Sequence, residues 1–324
     1  MKKHFKNILI VFLGTSFGFL FGYIIVFGIN KTSFYTEEFV KNINFSRHKE
    51  ITQGGPSLSD IFKENKSVYF LDYKKSYKIN DNAPIPYLTA QNYLVGDLES
   101  GEIIFSKNKN KVLPIASISK LVTAITADEA IGLSKEVRVS NRAVSTYGEQ
   151  GDLKVGEIYK INEIFYPLLL ESSNDAAEVI AESIGRDVFM GKVNEKMREI
   201  KMYNSHFNDP SGLSPQNVST VSDLFKLIQY IDKYRNYIFK ITKTKRYKLG
   251  KKVWFNNSKF RSDGDYYGGK NGYTDIAQKT QIAIFNISFN GNVRKIAFII
   301  LKTDDIEGDI YGLKKYVEKY VTYD

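Results

Sequence analysis

Pro114-Ile115-Ala116-Ser117-Ile118-Ser119-Lys120-Leu121-Val122-Thr123-Ala124 is the stretch on which the reading of this chain turns. A proline opens an apolar helical run, a position where its missing N–H has no partner to lose. The run carries a serine and, three residues on, a lysine. Side chains at i,i+3 of a helix share one face about 5–6 Å apart, so the amine can reach the hydroxyl. That spacing suits a nucleophile and its base.

A serine nucleophile needs a general base, and histidine is scarce: His4, His48 and His206 lie far apart, and there is no cysteine. A nucleophilic site in this chain is therefore Ser/Lys or Thr/Lys. Lysine can act as the base once desolvation or a second cation pulls its pKa from about 10.4 towards neutrality. Ile115, Ala116, Ile118, Leu121 and Val122 supply an apolar setting. The same S-x-x-K spacing occurs at Ser46-Arg47-His48-Lys49 and Ser106-Lys107-Asn108-Lys109, both in charged, polar sequence.

Outward from this helix, residues 92–97 read as a strand, Glu99-Ser100-Gly101 as its turn and 102–106 as the return strand. Residues 161–184 carry apolar residues at helical spacing in two blocks. The polar interruption between them, Glu171-Ser172-Ser173-Asn174-Asp175, either caps the second helix or faces a cleft. Residues 187–203 and 219–234 read as amphipathic helices, with the loop Asn208-Asp209-Pro210-Ser211-Gly212-Leu213 between them. Residues 280–289 and 292–301 are β-branched and aromatic, joined through Asn290-Gly291, the strongest hairpin signal in the chain. A helix over 306–320 closes the domain. Strands at both ends with helices between them predict an α+β fold, one mainly antiparallel sheet with helices on both faces. Before the hairpin, Gly268-Gly269-Lys270-Asn271-Gly272-Tyr273 places glycines around a lysine near a strand start, where backbone can approach a ligand and the ammonium can hold a carboxylate.

The chain has 324 residues, 43% of them apolar, enough for a large core. Lys2, Lys3 and Lys6 precede an uncharged run over residues 8–29, which as a helix is about 33 Å long and matches a hydrocarbon core of about 30 Å. The lysines place the N-terminus inside, which predicts a retained, single-pass anchor in a bacterial cytoplasmic membrane, with residues 1–7 cytoplasmic and everything beyond the run outside; a cleaved signal peptide is the competing reading, but the apolar run is longer than about 7–15 residues and no small-x-small site follows it. Gly14, Gly18 and Gly22 form a smooth face on which another span, or a second copy, could pack. Residues 30–86 read as an extracytoplasmic stalk and 87–324 as the folded domain. Without cysteine, the exported part is stabilised by core burial rather than disulfides. The formal charge of +10 comes with no nucleic-acid motif and points instead to an anionic envelope surface. No histidine and carboxylate cluster has metal-ligand spacing and no Gly-rich phosphate loop follows a strand, so no cofactor is expected.

Taken in order, Ser117-Ile118-Ser119-Lys120, Ser172-Ser173-Asn174 and Lys270-Asn271-Gly272 resemble the S-x-x-K, S-x-N and K-T-G elements of penicillin-binding proteins and serine β-lactamases. With Asp209-Pro210-Ser211-Gly212-Leu213 as a fourth block, residues 87–322 resemble the DacA-like low-molecular-mass D-alanyl-D-alanine carboxypeptidases, serine peptidases of the S11 type. The resemblance implies a five-stranded sheet with a helical subdomain, and a peptidoglycan stem peptide as substrate. Ser117 would attack the carbonyl between two terminal D-alanines, Lys120 would take its proton, Ser172 would relay a proton to the leaving amine and Asn174 would orient the substrate amide. Lys270, Asn271, Gly272 and Tyr273 would bind substrate, with the N–H groups of Ser117 and Tyr273 as oxyanion hole. β-Lactams would be covalent inhibitors. Asn271 departs from the family's threonine or serine. A second departure is the absence of a C-terminal membrane helix, which the N-terminal span would replace. A DD-endopeptidase, a β-lactamase and a non-catalytic wall-binding pseudoenzyme are the competing functions.

Overall fold

Side-chain alternation along the closing hairpin shows why a sheet forms here and why both its faces are covered. Ala297, Ile299 and Leu301 point into one apolar cluster, and Ile296, Phe298 and Ile300 into another. A strand buried on both faces must be apolar throughout, and this one is.

The computed structural model describes residues 76–148 and 150–324. The run 8–29 with Gly14, Gly18 and Gly22, and the stalk up to residue 75, lie outside the described residues. Among the described residues no helix is long and apolar enough to cross a membrane. In chain order come β1 (Tyr77–Ile79), β2 (Asn92–Asp97), β3 (Ile103–Lys107), a 3-10 turn at Ala116–Ile118, α1 (Ser119–Ala130), α2 (Ile161–Leu170), α3 (Asn174–Glu182), α4 (Arg186–Glu199) and α5 (Val221–Tyr234). Then follow α6 (Tyr237–Lys243), β4 (Arg246–Leu249), β5 (Lys252–Phe255), β6 (Tyr266–Thr274), β7 (Gln278–Phe289), β8 (Asn292–Thr303), α7 (Ile306–Tyr320) and β9 (Val321–Tyr323).

The central sheet has five antiparallel strands in the order β6-β7-β8-β2-β3. Leu94, Ile282, Ile284 and Ile299 join one core with residues of α1 to α6, while Val95, Phe285 and Phe298 meet Ile310, Leu313 and Val317 of α7 on the other face. Helices therefore cover both faces, as expected.

One boundary differs from the sequence reading. The stalk expected over 30–86 includes β1, which pairs with β9 in the register Tyr77↔Tyr323, Lys78↔Thr322 and Ile79↔Val321. Tyr77 is buried, and its hydroxyl donates to Asp97 Oδ2 at 2.7 Å. Folded structure thus begins before Tyr87; three residues are too short a run to register as a strand without their partner. The β4–β5 hairpin and α6 had no counterpart in the sequence reading, because each is short and rich in exposed lysine.

Candidate active site

The nucleophile candidate stands where β6 crosses the start of α1. Ala116 has φ +49°, a left-handed conformation unusual for a residue with a Cβ, and it sets the turn that presents Ser117. Gly212, at φ +90°, packs against this turn; a Cβ there would collide with the Ala116 carbonyl oxygen. Ser119 Oγ donates to that oxygen at 2.8 Å and accepts from Asn217 Nδ2 at 3.0 Å, so the strained turn is held from both sides.

Lys120 is fully buried in the first turn of α1. Its Nζ donates to Ser117 Oγ at 2.9 Å, to Asn174 Oδ1 at 2.7 Å and to the Ser211 carbonyl at 2.7 Å. This geometry bears on proton transfer. The Asn174 and Ser211 oxygens can engage two N–H bonds of a neutral amine, which leaves its lone pair directed at the Ser117 hydroxyl. Ser117 is only partly buried, whereas Lys120 behind it is sealed off.

The polar interruption between α2 and α3 caps the second helix, and its other polar side chains meet the two lysines. Ser173 caps α3, its Oγ accepting from Ala176 N at 3.0 Å. Ser172, at φ +65°, and Asn174 flank that cap and turn towards the lysines. Ser172 Oγ accepts from Lys270 Nζ at 3.0 Å, and Asn174 Nδ2 donates to the Tyr147 carbonyl at 2.8 Å.

Lys270 lies mid-strand in β6 rather than at a strand start, and is 2% exposed. Its Nζ also donates to the Asn271 carbonyl at 2.8 Å and lies 3.4 Å from Asn271 Oδ1. With Oδ1 turned to the ammonium, the Nδ2 hydrogens of Asn271 are left for a different acceptor. Gly272 lets β6 pass close to the nucleophile: a Cβ there would stand 2.6 Å from Ser117 N. Thr280 Oγ1 reinforces the crossing by donating to the Ile115 carbonyl at 3.1 Å. Tyr273, next along β6, is 62% exposed. Ser117, Lys120, Ser172, Asn174, Lys270, Asn271 and Gly272 are therefore linked by direct contacts across three distant pieces of chain.

A family model of the D-alanyl-D-alanine carboxypeptidases, peptidase S11, matches residues 79–301. This chain is a peptidase S11 family member. Among curated relatives, the S11 chain is 31% identical over 226 residues to D-alanyl-D-alanine carboxypeptidase DacF of Bacillus subtilis, covering 65% of this chain and 57% of that one. It is 32% identical over 145 residues to a D-alanyl-D-alanine endopeptidase of Pseudomonas aeruginosa, covering 44% of this chain and 47% of that one. The chain thus spans about half the length of these two relatives. Among solved structures it is similar to a D-alanyl-D-alanine carboxypeptidase from Mycobacterium tuberculosis, with TM-score 0.67 and 25% identity over 74% of this chain and 95% of that one. Penicillin-binding protein D2 of Listeria monocytogenes, in a cefotaxime-bound form, shares the fold with TM-score 0.64 and 24% identity over 72% of this chain and 98% of that one.

The structure also adds supports to this S11 site that the sequence reading left without a role. Asp209 Oδ1 accepts from the N–H groups of Ser211 and Gly212 and from Ser211 Oγ, while Oδ2 accepts from Ser214 N. Burial acts to raise its pKa, but the Ser211 hydroxyl and these N–H groups outweigh burial and hold the carboxyl below the usual range. The result is a rigid loop whose Ser211 carbonyl fixes Lys120. Tyr147 contributes a carbonyl in the same way. Asp175, beside Asn174, is 2% exposed, and burial pushes its carboxyl up to about 6 against the N–H groups of Asp175 and Gly151. Among the described residues no group of three or more His, Cys, Asp or Glu side chains could hold a metal ion.

Proposed function

We propose that this S11 chain is a serine-type D-alanyl-D-alanine carboxypeptidase that trims peptidoglycan stem peptides through an acyl-enzyme on Ser117. The observation carrying the reading is the Lys120 amine, seated between Asn174 Oδ1 and the Ser211 carbonyl and within hydrogen-bond reach of Ser117 Oγ. Neutral Lys120 takes the hydroxyl proton as Ser117 Oγ bonds to the carbonyl carbon of the penultimate D-alanine. The oxyanion forms at the N-terminus of α1 and beside the β6 backbone, where the N–H groups of Ser117 and Tyr273 receive it and the helix dipole favours negative charge. The proton then passes to the amide nitrogen by way of Ser172, the C–N bond breaks and D-alanine leaves. Water repeats the sequence on the ester, releasing the shortened peptide and restoring Ser117. Lys270 and the Asn271 amide offer charge and N–H donors to the carboxylate beside the scissile bond.

Carboxypeptidase action is preferred over endopeptidase action because the family model carries that name, and because the DacF alignment covers more of this chain than the endopeptidase alignment. The test is the product. Free D-alanine from a pentapeptide substrate supports the proposal, while splitting of dimeric muropeptides without it makes the chain an endopeptidase. Steady turnover of a chromogenic cephalosporin would instead favour a β-lactamase. We further propose that residues 8–29 anchor the chain in the cytoplasmic membrane with the peptidase outside. Protease sensitivity in spheroplasts but not in intact inverted vesicles is the expected result.

A further inference from the structure

No acidic residue lies between Asp232 and Asp263. Within that stretch Lys240, Lys243, Lys245, Arg246, Lys248 and Lys251 are all exposed. Three of the neighbouring cations are neutralised: Arg235 by Asp128, Lys252 by Glu157 and Lys259 by Glu307. The six are in no ion pair among the described residues. A merely solvated face would intersperse both signs.

The β4–β5 hairpin sorts its side chains by face. Tyr247 and Trp254 pair on the inner side, with Trp254 buried and Tyr247 stacked on Tyr166 of α2. Arg246 pairs with Phe255 and Lys248 with Val253 on the outer side. Phe255 is 57% exposed, so the outer face of the hairpin carries an aromatic ring directly opposite Arg246. The hairpin is also fixed to the wall of the active site. Phe255 N donates to Glu171 Oε1 at 2.9 Å and Asn257 N to the Leu170 carbonyl at 3.0 Å, on the two residues just before Ser172.

We propose that this face docks on an anionic phospholipid surface, which orients the cleft beside it relative to the membrane. Unpaired cations supply attraction to the headgroups, and Phe255 supplies the apolar contact that a bilayer interface accepts. A soluble phosphodiester polymer would match the charge but has no apolar phase for the ring, which is why the bilayer is preferred. The inference does not depend on the peptidase reading.

The chain lacks cysteine, so single cysteines can carry a dye in the full-length protein reconstituted into vesicles. Asn257→Cys reports on the hairpin and Val293→Cys, 60% exposed on the β7–β8 hairpin, serves as the reference. With a headgroup-quenching lipid present, we expect quenching at 257 but not at 293, in phosphatidylglycerol-containing vesicles but not in pure phosphatidylcholine. Raising salt from about 0.1 to about 1 M, which shortens the Debye length from about 10 to about 3 Å, should abolish it. Each cation near such a surface is worth roughly fivefold, so Lys243→Gln/Arg246→Gln/Lys248→Gln should lower the docked-to-undocked ratio about a hundredfold. Fluorescent penicillin labelling of Ser117 should be unchanged in that variant, which separates this claim from the peptidase reading. Equal quenching at both sites, or indifference to phosphatidylglycerol or to the triple substitution, overturns the proposal. So does protection of the hairpin lysines from acetylation by inorganic polyphosphate but not by the vesicles, which would assign the face to a soluble polyanion.

Discussion

Replacing Asp209 by asparagine tests whether the loop behind Lys120 acts as a rigid support. Its carboxylate receives N–H bonds from Ser211, Gly212 and Ser214 and the hydroxyl of Ser211, all inside a largely buried loop. Asparagine keeps the shape but turns one oxygen into a donor. The amide oxygen can still serve the Ser211 and Gly212 side, so the Ser214 N–H, held at 2.7 Å by Oδ2, is left facing Nδ2. One unsatisfied buried N–H costs about 1–3 kcal/mol. Exchanging charge-assisted bonds for neutral ones, roughly half as strong, adds about 1 kcal/mol or more. A loss of about 2–4 kcal/mol is a large part of a typical stability of about 5–15 kcal/mol and should lower Tm by roughly 5–15 °C. The effect has a pH signature. A carboxyl whose folded pKa is depressed stabilises the fold above its unfolded pKa, and that contribution disappears as pH falls through the folded value. The Tm difference between wild type and Asp209→Asn should therefore shrink on acidification. Because the Ser211 carbonyl positions Lys120, acylation of Ser117 by fluorescent penicillin should also slow, by about a hundredfold if the amine shifts by an ångström. Unchanged Tm with unchanged acylation would mean that the Asp209 carboxylate does not hold this loop; so would a Tm difference independent of pH.

Two further substitutions follow from the same geometry. Asn271→Thr exchanges one donor for another next to Lys270, and a hydrogen bond to a charged partner is worth about 1.5–3 kcal/mol, so D-alanine release should stay within about two orders of magnitude of wild type; a variant that switches on an otherwise dead enzyme would contradict this. Asp175→Asn should stabilise the protein at alkaline pH. The folded carboxyl is raised to about 6, so the native state holds its proton more tightly than the unfolded chain and wild-type stability falls as pH rises from about 4 to about 6. The neutral variant escapes that fall, and its Tm advantage should grow from pH 4 to pH 8 towards a ceiling of about 3 kcal/mol. An advantage that does not change with pH would count against the assignment.

Much of this fold announces itself in residues that perform one local task. Asn290-Gly291 turns the long hairpin, and β2 occupies the predicted residues because its run is apolar and bounded by turn formers. The closing helix occupies 306–320 as expected, with Asp305 as its cap. What stayed hidden depends on distant partners. β1 is a strand only because β9 lies beside it. The β4–β5 hairpin alternates Arg246, Tyr247, Lys248 and Leu249, yet its lysine-rich composition resembles an exposed loop. At the site, the ordered serine, lysine and asparagine blocks marked which side chains meet, Ser117 with Lys120, Lys120 with Asn174 and Ser172 with Lys270. The carbonyls of Ser211 and Tyr147 were not legible, because a backbone oxygen leaves no mark on residue type. Asp209 could have been suspected from its position before Pro210-Ser211-Gly212, a loop short enough to fold around one carboxylate.

Whether Ser117 is made reactive by Lys120 one helical turn on is decided by β-lactam acylation read by intact-mass and peptide mass spectrometry. One covalent adduct is expected, mapping to Ser117 and absent in Ser117→Ala. In Lys120→Met, whose folding is checked by Tm, the adduct should form at least about a hundredfold more slowly, the lower bound for loss of a positioned general base. An adduct that persists in Ser117→Ala, or one that forms at the wild-type rate in a folded Lys120→Met, would contradict that role for Ser117 and Lys120.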